Sequence, residues 1–213
     1  TIGARIPASS LKFSEFNEPG LKIPLKSVRF DFATLLANKE QCQVLVAGGG
    51  TGGAFVAMGA AEKGVNTIVV DYFNDLGGTK TMGGVMGYYH GMKNNNFFKK
   101  QSEDAERLAF ESNMSKKTGR KLYHLNSVLN ADGRFLTGAI MCDAVVENNV
   151  VKGILVCRNG KLEVIGAHVT IDATGDGDIA AFAGAEYDIG NTRTGETQNY
   201  SQWDIPGAVK LSV

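Results

Sequence analysis

Apolar residues in this chain fall in short runs closed by glycine, and the runs read as elements. Residues 43–47, Gln-Val-Leu-Val-Ala, form such a run ahead of a glycine cluster, the pattern of a strand buried on both faces. Gly52–Lys63 is rich in Ala and Gly and predicts a helix stopped at Gly64. Val65–Val70 is a second β-branched run, ending at Asp71. Strand, glycine turn, helix and strand in close succession predict a compact βαβ unit.

Polarity rises over residues 93–139, where Lys, Asn, Ser and Glu dominate. Ser102 predicts the cap of a helix running to about Lys117, with acidic residues early, Lys late and Gly119 after its end. The segment is expected to be inserted and partly exposed, with Lys99-Lys100 and Lys116-Lys117 in solvent. Strand patterning returns in Ala144–Glu147, Val150–Cys157 and Leu162–Ile171. Asn148-Asn149 and Asn159-Gly160 separate these runs, and Asn-Gly favours a two-residue type I′ turn because it accepts positive φ twice. A three-stranded antiparallel β-meander is therefore expected, followed by a small-residue helix over Ile179–Gly184 and a polar tail to Val213. Residues 1–40 hold Pro7, Pro19 and Pro24 and predict an irregular N-terminal arm, with a short strand near Lys26–Phe32. The expected division is thus an arm, 1–40, and one α/β domain, 41–213.

Composition narrows the class. The 213 residues are 43% hydrophobic with no apolar run of membrane-spanning length. Lys plus Arg equals Asp plus Glu at 22 each, which gives no electrostatic reason to expect nucleic acid or an anionic membrane as partner. Glycine is abundant, 27 residues, and clustered, which points to tight backbone sites. Cys42, Cys142 and Cys157 make no C-x-x-C pair, and His90, His124 and His168 are scattered, so no metal signature is present. The three thiols are expected to be small buried hydrophobes, and His124 and His168 to be structural. No charged-then-apolar leader is visible after Thr1; a processed or trimmed product is the expectation, with the cytoplasm as default compartment.

Gly48-Gly49-Gly50-Thr51-Gly52-Gly53 satisfies G-x-G-x-x-G through Gly48, Gly50 and Gly53. The first glycine lets the chain leave the strand in a tight turn. The second leaves room for a pyrophosphate against the backbone, and the third allows close helix–strand packing. The helix mouth at Thr51, Gly52 and Gly53 then offers unpaired N–H groups and partial positive charge. Asp71, at the end of the second strand, is placed to accept from adenosine ribose hydroxyls. The motif lies after a strand, opens a helix and has its acid in place, a context that sets it apart from a glycine-rich turn of an unrelated fold.

That unit alone suits NAD and FAD equally. Two later stretches separate them. The first is Leu76-Gly77-Gly78-Thr79-Lys80-Thr81-Met82-Gly83-Gly84, and the second is a meander running into Ile171-Asp172-Ala173-Thr174-Gly175-Asp176-Gly177-Asp178. With Gly184-Ala185 and Gly195-Glu196-Thr197, these residues resemble the FAD-dependent oxidoreductases of the glutathione reductase-like superfamily. Within it the nearest resemblance is to relatives of the fumarate reductase and succinate dehydrogenase flavoproteins, over roughly Gln43–Gly195. The resemblance implies a Rossmann-type FAD-binding domain and redox chemistry on a small organic substrate. It implies that Gly48, Gly50 and Gly53 bind pyrophosphate and Asp71 the ribose. It places Gly77, Gly78, Thr79 and Thr81 along pyrophosphate and flavin, and brings Thr174, Gly175 and Asp178 back to the cofactor from the other side.

Departures refine the expectation. Asp71 stands where the superfamily more often has Glu. No flavin-linking histidine lies around Thr79–Thr81, so FAD is expected to be non-covalent. The redox cysteine pair of the disulfide reductases is absent after Asp71. The family's substrate domain and closing glycine-rich segment are not found before Val213, so a further stretch or a second chain is expected to complete the site. Tyr89 and His90, just after the glycines, are the catalytic candidates, since both can move a proton; the alternative is that they are packed or surface side chains. Two rival functions stand beside the flavoenzyme: an NAD(P)-binding dehydrogenase, and a non-catalytic FAD-binding subunit or fragment.

Overall fold

The computed structural model describes residues 31–85, 87 and 95–187. The proposed strand near Lys26–Phe32 lies largely outside them, and Phe32 itself begins a short helix, α1 (Phe32–Ala37), capped by the Asp31 carboxylate on Ala33 N. Next come β1 (Glu40–Ala47), α2 (Thr51–Ala61) and β2 (Thr67–Val70), the βαβ unit read from the apolar runs. The chain continues through a 3-10 turn, Gly78–Lys80, to α3 (Asn96–Glu111), α4 (Lys116–Leu129) and β3 (Arg134–Leu136). The strands β4 (Ala139–Glu147), β5 (Val150–Arg158) and β6 (Lys161–Asp172) form the meander, and α5 (Asp178–Phe182) follows.

These six strands belong to one sheet, in the order β3-β2-β1-β6-β5-β4. The first four run parallel, while β5 is antiparallel to both β6 and β4. The hairpin turns are as the Asn signals require: Asn148 and Asn149 have φ 49° and 62°, Asn159 and Gly160 φ 52° and 74°. β6 serves both halves. Its first part pairs with β5 and its later part with β1, and Ile165 and Gly166 are paired on both sides.

Burial follows from strand alternation. One face of the sheet contributes Leu45, Ala47, Ile68, Val70, Ile154, Val156 and Ile165 to a core closed by Ile179 of α5. The other turns Val46 and Val69 towards Ala54, Ala57 and Met58 of α2 and Val128 of α4. A smaller cluster packs Phe32, Leu35 and Leu36 of α1 on Val145, Leu155 and Val164. Each fully buried aliphatic side chain here is worth about 1.5–3 kcal/mol relative to exposure. The buried faces thus fix which ends of β1, β2 and β6 meet at the sheet's carboxyl edge.

The segment 93–139 departs from expectation. It holds two helices and a third parallel strand, so it is the β2-to-β3 crossover. The first helix starts at Asn95, whose side chain accepts from Phe98 N at 2.6 Å, and Ser102 lies inside it. Asn113 (φ 52°) breaks the chain direction and Ser115 caps α4 by accepting from Thr118 N. Gly119, expected beyond a helix end, sits within α4 because that helix crosses α3 there: a Cβ on it would fall 2.4 Å from Ala109 Cβ. The two lysine pairs are exposed.

Other readings shift too. Cys42 is buried, and burial pushes its thiol up to about 11. Cys142 is exposed and Cys157 half-buried, because β4 is a sheet edge and Cys142 lies at a register shift between Met141 and Asp143. His124 is buried, whereas His168 is exposed on β6.

Candidate cofactor site

Three stretches leave the carboxyl ends of adjacent parallel strands: Gly48–Gly53 after β1, Asp71–Thr81 after β2, and Ala173–Asp178 after β6. In doubly wound sheets this edge is where ligands bind. The stretches are laced together by their backbones. Ala173 N donates to Ala47 O at 2.8 Å, and Gly77 N donates to Gly49 O at 2.8 Å. Thr51 Oγ1 donates to Gly77 O at 3.2 Å.

Close approach explains the glycines. Gly48 turns the chain out of β1 with φ +97°, and a Cβ there would meet Ala173 O at 2.4 Å. On Gly53 a Cβ would lie 1.8 Å from Gly48 O, and on Gly78 it would lie 2.8 Å from Gly50 Cα. Gly50 and Gly52 differ, since nothing lies within 4 Å of a Cβ built on either. Gly50 is also the N-cap of α2 and supplies no side-chain cap. The helix therefore presents bare main chain and its positive end to open space, walled by Gly78 and by the β6 return, a cradle that suits a diphosphate.

Asp71 sits beneath this cradle. Its Oδ2 accepts from Gly49 N at 2.6 Å and its Oδ1 from Phe73 N at 2.7 Å. The carboxylate thus fixes the phosphate loop and its own turn. Each oxygen keeps a second lone pair with which a ribose hydroxyl can bond.

After β2, Thr79 is exposed, and its carbonyl accepts from Val85 N. Thr81 is fully buried, its hydroxyl donating to Leu76 O at 3.0 Å. It therefore stands under the loop and supports it. On the opposite side, Thr174 and Gly175 (φ 95°) follow β6 directly, with nothing within 4 Å of a Cβ on Gly175. Asp178 is the first residue of α5, its N–H donating to Thr174 Oγ1 at 2.9 Å. Tyr89 and His90 lie outside the described residues, as do Gly195, Glu196 and Thr197.

Asp172 carries structural weight that its sequence context did not assign. Asp172 Oδ1 accepts from Thr174 N and Thr174 Oγ1, and its Oδ2 from Ala180 N. Burial pushes this carboxyl up, but the bonds from Ala180 and Thr174 outweigh it and hold the group below the usual carboxylate value. An Asp two residues before a Thr at a strand end is the available signal, a side chain that turns the backbone back on itself. His124, expected to be structural, is 2% exposed and packs against the loop at Gly77. Among the described residues no cluster of His, Cys, Asp or Glu could hold a metal ion, and no helix is long and apolar enough to cross a membrane.

A mostly parallel sheet with three backbone loops converging on an open helix mouth defines a dinucleotide-binding protein. Residues 43–209 match the sequence family described as FAD dependent oxidoreductase, and the chain belongs to that family. Its cofactor is FAD, and the open cradle at Gly50 and Gly52 fits the diphosphate of that group.

Several solved structures align with the chain, and the first of them shares its fold. L-proline dehydrogenase from P. horikoshii aligns with a TM-score of 0.53 at 14% identity, over 71% of this chain and 58% of that one. A geranylgeranyl bacteriochlorophyll reductase-like protein from Thermoplasma acidophilum aligns at 0.49 and 16% identity, over 70% and 43%. Glycine oxidase from Bacillus cereus aligns at 0.44 and 13%, over 66% and 58%. The chain thus spans 58% of the length of the first of these structures. No curated protein sequence matches it.

Proposed function

We propose that this chain holds FAD non-covalently and forms the cofactor-binding part of an oxidoreductase acting on a small organic substrate. Its place would be on the glutathione reductase-like branch, beside the fumarate reductase and succinate dehydrogenase flavoproteins. The observation that carries the reading is the convergence of Gly48–Gly53, Gly77–Thr79 and Thr174–Gly175 around the uncapped end of α2. In this reading Thr51, Gly52 and Gly53 turn their amides to the diphosphate and Asp71 accepts from the ribose. Gly77, Gly78 and Thr79 line one flank of the cofactor, and Thr174, Gly175 and the α5 start at Asp178 line the other. Thr81 contributes by holding Leu76 O in place. FAD supplies the electron transfer when bound, and Tyr89 and His90 are the proposed groups for moving a proton to or from substrate. The NAD(P) alternative is not favoured by the family match.

Purified protein is expected to absorb near about 450 nm from bound flavin. Acid precipitation should leave that colour in the supernatant, whereas a pellet that keeps it would show a covalent link. Gly50→Val should abolish the absorbance while the chain still folds, because the new side chain enters the open cradle. Flavin retained at full occupancy by that variant would move the cofactor elsewhere. The second reading is a purely assembling role, a non-catalytic FAD-binding subunit. It is separated by photoreducing the bound flavin and measuring turnover with a candidate acceptor: reduction without reoxidation favours assembly.

A further inference from the structure

The return after β6 leaves the sheet in contact with the phosphate loop. Asp172 stands opposite Ala47, the residue before Gly48, in the β1–β6 ladder. The next residue, Ala173, donates its N–H to Ala47 O at 2.8 Å. Its carbonyl lies 2.4 Å from where a Cβ on Gly48 would stand, and its own Cβ 3.2 Å from one built on Gly53. The return is thus packed on the first and last glycines of the motif. At its far end α5 is pinned by Ile179, buried in the sheet core.

Between these two anchors the chain relies on one side chain. Among the described residues, Thr174–Gly177 makes no backbone–backbone hydrogen bond until Gly177 O accepts from Ala181 N inside the helix. Gly175 and Gly177 have φ 95° and 75° and carry no side chain to lock that conformation. The Asp172 carboxylate bridges the gap. Its Oδ1 accepts from Thr174 N at 3.1 Å and from Thr174 Oγ1 at 2.7 Å, and its Oδ2 accepts from Ala180 N at 2.9 Å. Thr174 Oγ1 in turn accepts from Asp178 N at 2.9 Å. The start of the return is therefore tied to the first turn of α5 twice, directly through Ala180 and by relay through Thr174. Residue type matters here, because every group converging on Asp172 is a donor and an ionised carboxylate only accepts. An amide in its place could keep its oxygen on Thr174 only by turning its NH2 towards the Ala180 N–H, donor against donor.

We infer that Asp172 is the positioning residue of the β6 return, and that its bonds to Thr174 and Ala180 set how tightly FAD is held on that flank. The inference rests on the reading of Thr174–Gly175 as a wall of the cofactor site.

The test compares the full chain loaded with FAD in wild type, Asp172→Asn and Ile154→Val. The last trims the same sheet core on β5 and reports what lost stability alone does. FAD release is followed by the rise of free-flavin fluorescence after dilution, and the visible circular dichroism of the bound flavin and the apo-protein Tm are measured in parallel. Asp172→Asn should release FAD about tenfold faster, the worth of one hydrogen bond to a charged group, and alter the flavin dichroism. Ile154→Val should lower the Tm and leave release and dichroism at wild-type values. A lower Tm with wild-type release and dichroism from Asp172→Asn would overturn the inference, since the carboxylate would then be structural only. Equal acceleration by Asp172→Asn and Ile154→Val, or no change at all in Asp172→Asn, would do the same. If Asp172→Asn does not fold, Thr174→Val takes its place, since it removes the hydroxyl that joins Asp172 to Asp178 N and leaves the bonds from Thr174 N and Ala180 N. Faster release with altered dichroism there supports the inference, and unchanged release counts against it. Wild-type protein that binds no FAD would instead remove the underlying reading, and this one with it.

Discussion

At the scale of single residues, two glycines of one motif answer to opposite demands. Gly53 has no room for a Cβ, with Gly48 O 1.8 Å away, while Gly50 has nothing within 4 Å. Gly53→Ala should therefore destabilise the apo-protein by roughly 1–3 kcal/mol or more through overpacking, visible as a lower Tm. Gly50→Ala should leave the apo Tm nearly unchanged and weaken only FAD binding. Matching Tm losses in the two variants would contradict this division. His124 gives a pH dependence whose sign can be worked out. Its ordinary value of 6.5 applies to the unfolded chain, and in the fold it is lowered to about 4. Between those values the unfolded chain binds the proton more readily, so this residue's contribution is complete above about 6.5 and is lost as pH falls towards about 4. Denaturant titrations at about pH 7 and pH 5 should show a loss of roughly 2 kcal/mol from this group in wild type. The loss should shrink in His124→Gln; an identical loss there would assign the acid sensitivity to other groups.

At the scale of elements, what could be read from the sequence was what the backbone decides locally. The βαβ unit follows from an apolar run, a glycine turn and a β-branched run, and the meander from Asn-Asn and Asn-Gly turns whose φ values are all positive. The crossover was less legible. Asn95 and Ser102 are both good caps, and only packing of Phe97 on the α2 layer selects the first. Gly119 reads as a stop until its contact with Ala109 is seen, and Arg134–Leu136 is too short a strand to announce itself. The site divides in the same way. Its glycines carry their meaning in their spacing, whereas the inward turn of Thr81 follows from how the loop folds back on Leu76 O, and the Lys121–Asp75 pair joins residues distant in sequence. The α3–α4 crossing makes its own prediction. Gly119→Val should push the two helices apart and cost about 1–3 kcal/mol. Lys117→Ala, on the exposed side of α4, should change neither stability nor FAD release. Circular dichroism melts together with flavin release rates read both outcomes.

At the scale of the whole molecule, the sheet joins two jobs that could have been kept apart. β1, β2 and the end of β6 carry the loops of the candidate site, and β4 and β5 build the antiparallel half. The family match runs across both. β6 is the shared member: its early residues zip to β5, its later ones to β1, and Ile165 and Gly166 are zipped on both flanks. No seam therefore exists along which the halves could part without tearing the central rail. In deuterium, amides of β6 around those two residues should be among the last to exchange, and only by opening of the entire domain. The same rail ends at Asp172, which ties down Thr174 and α5. A disturbance in the hairpins would thus travel down one continuous strand to the Thr174–Asp178 return proposed to flank the flavin.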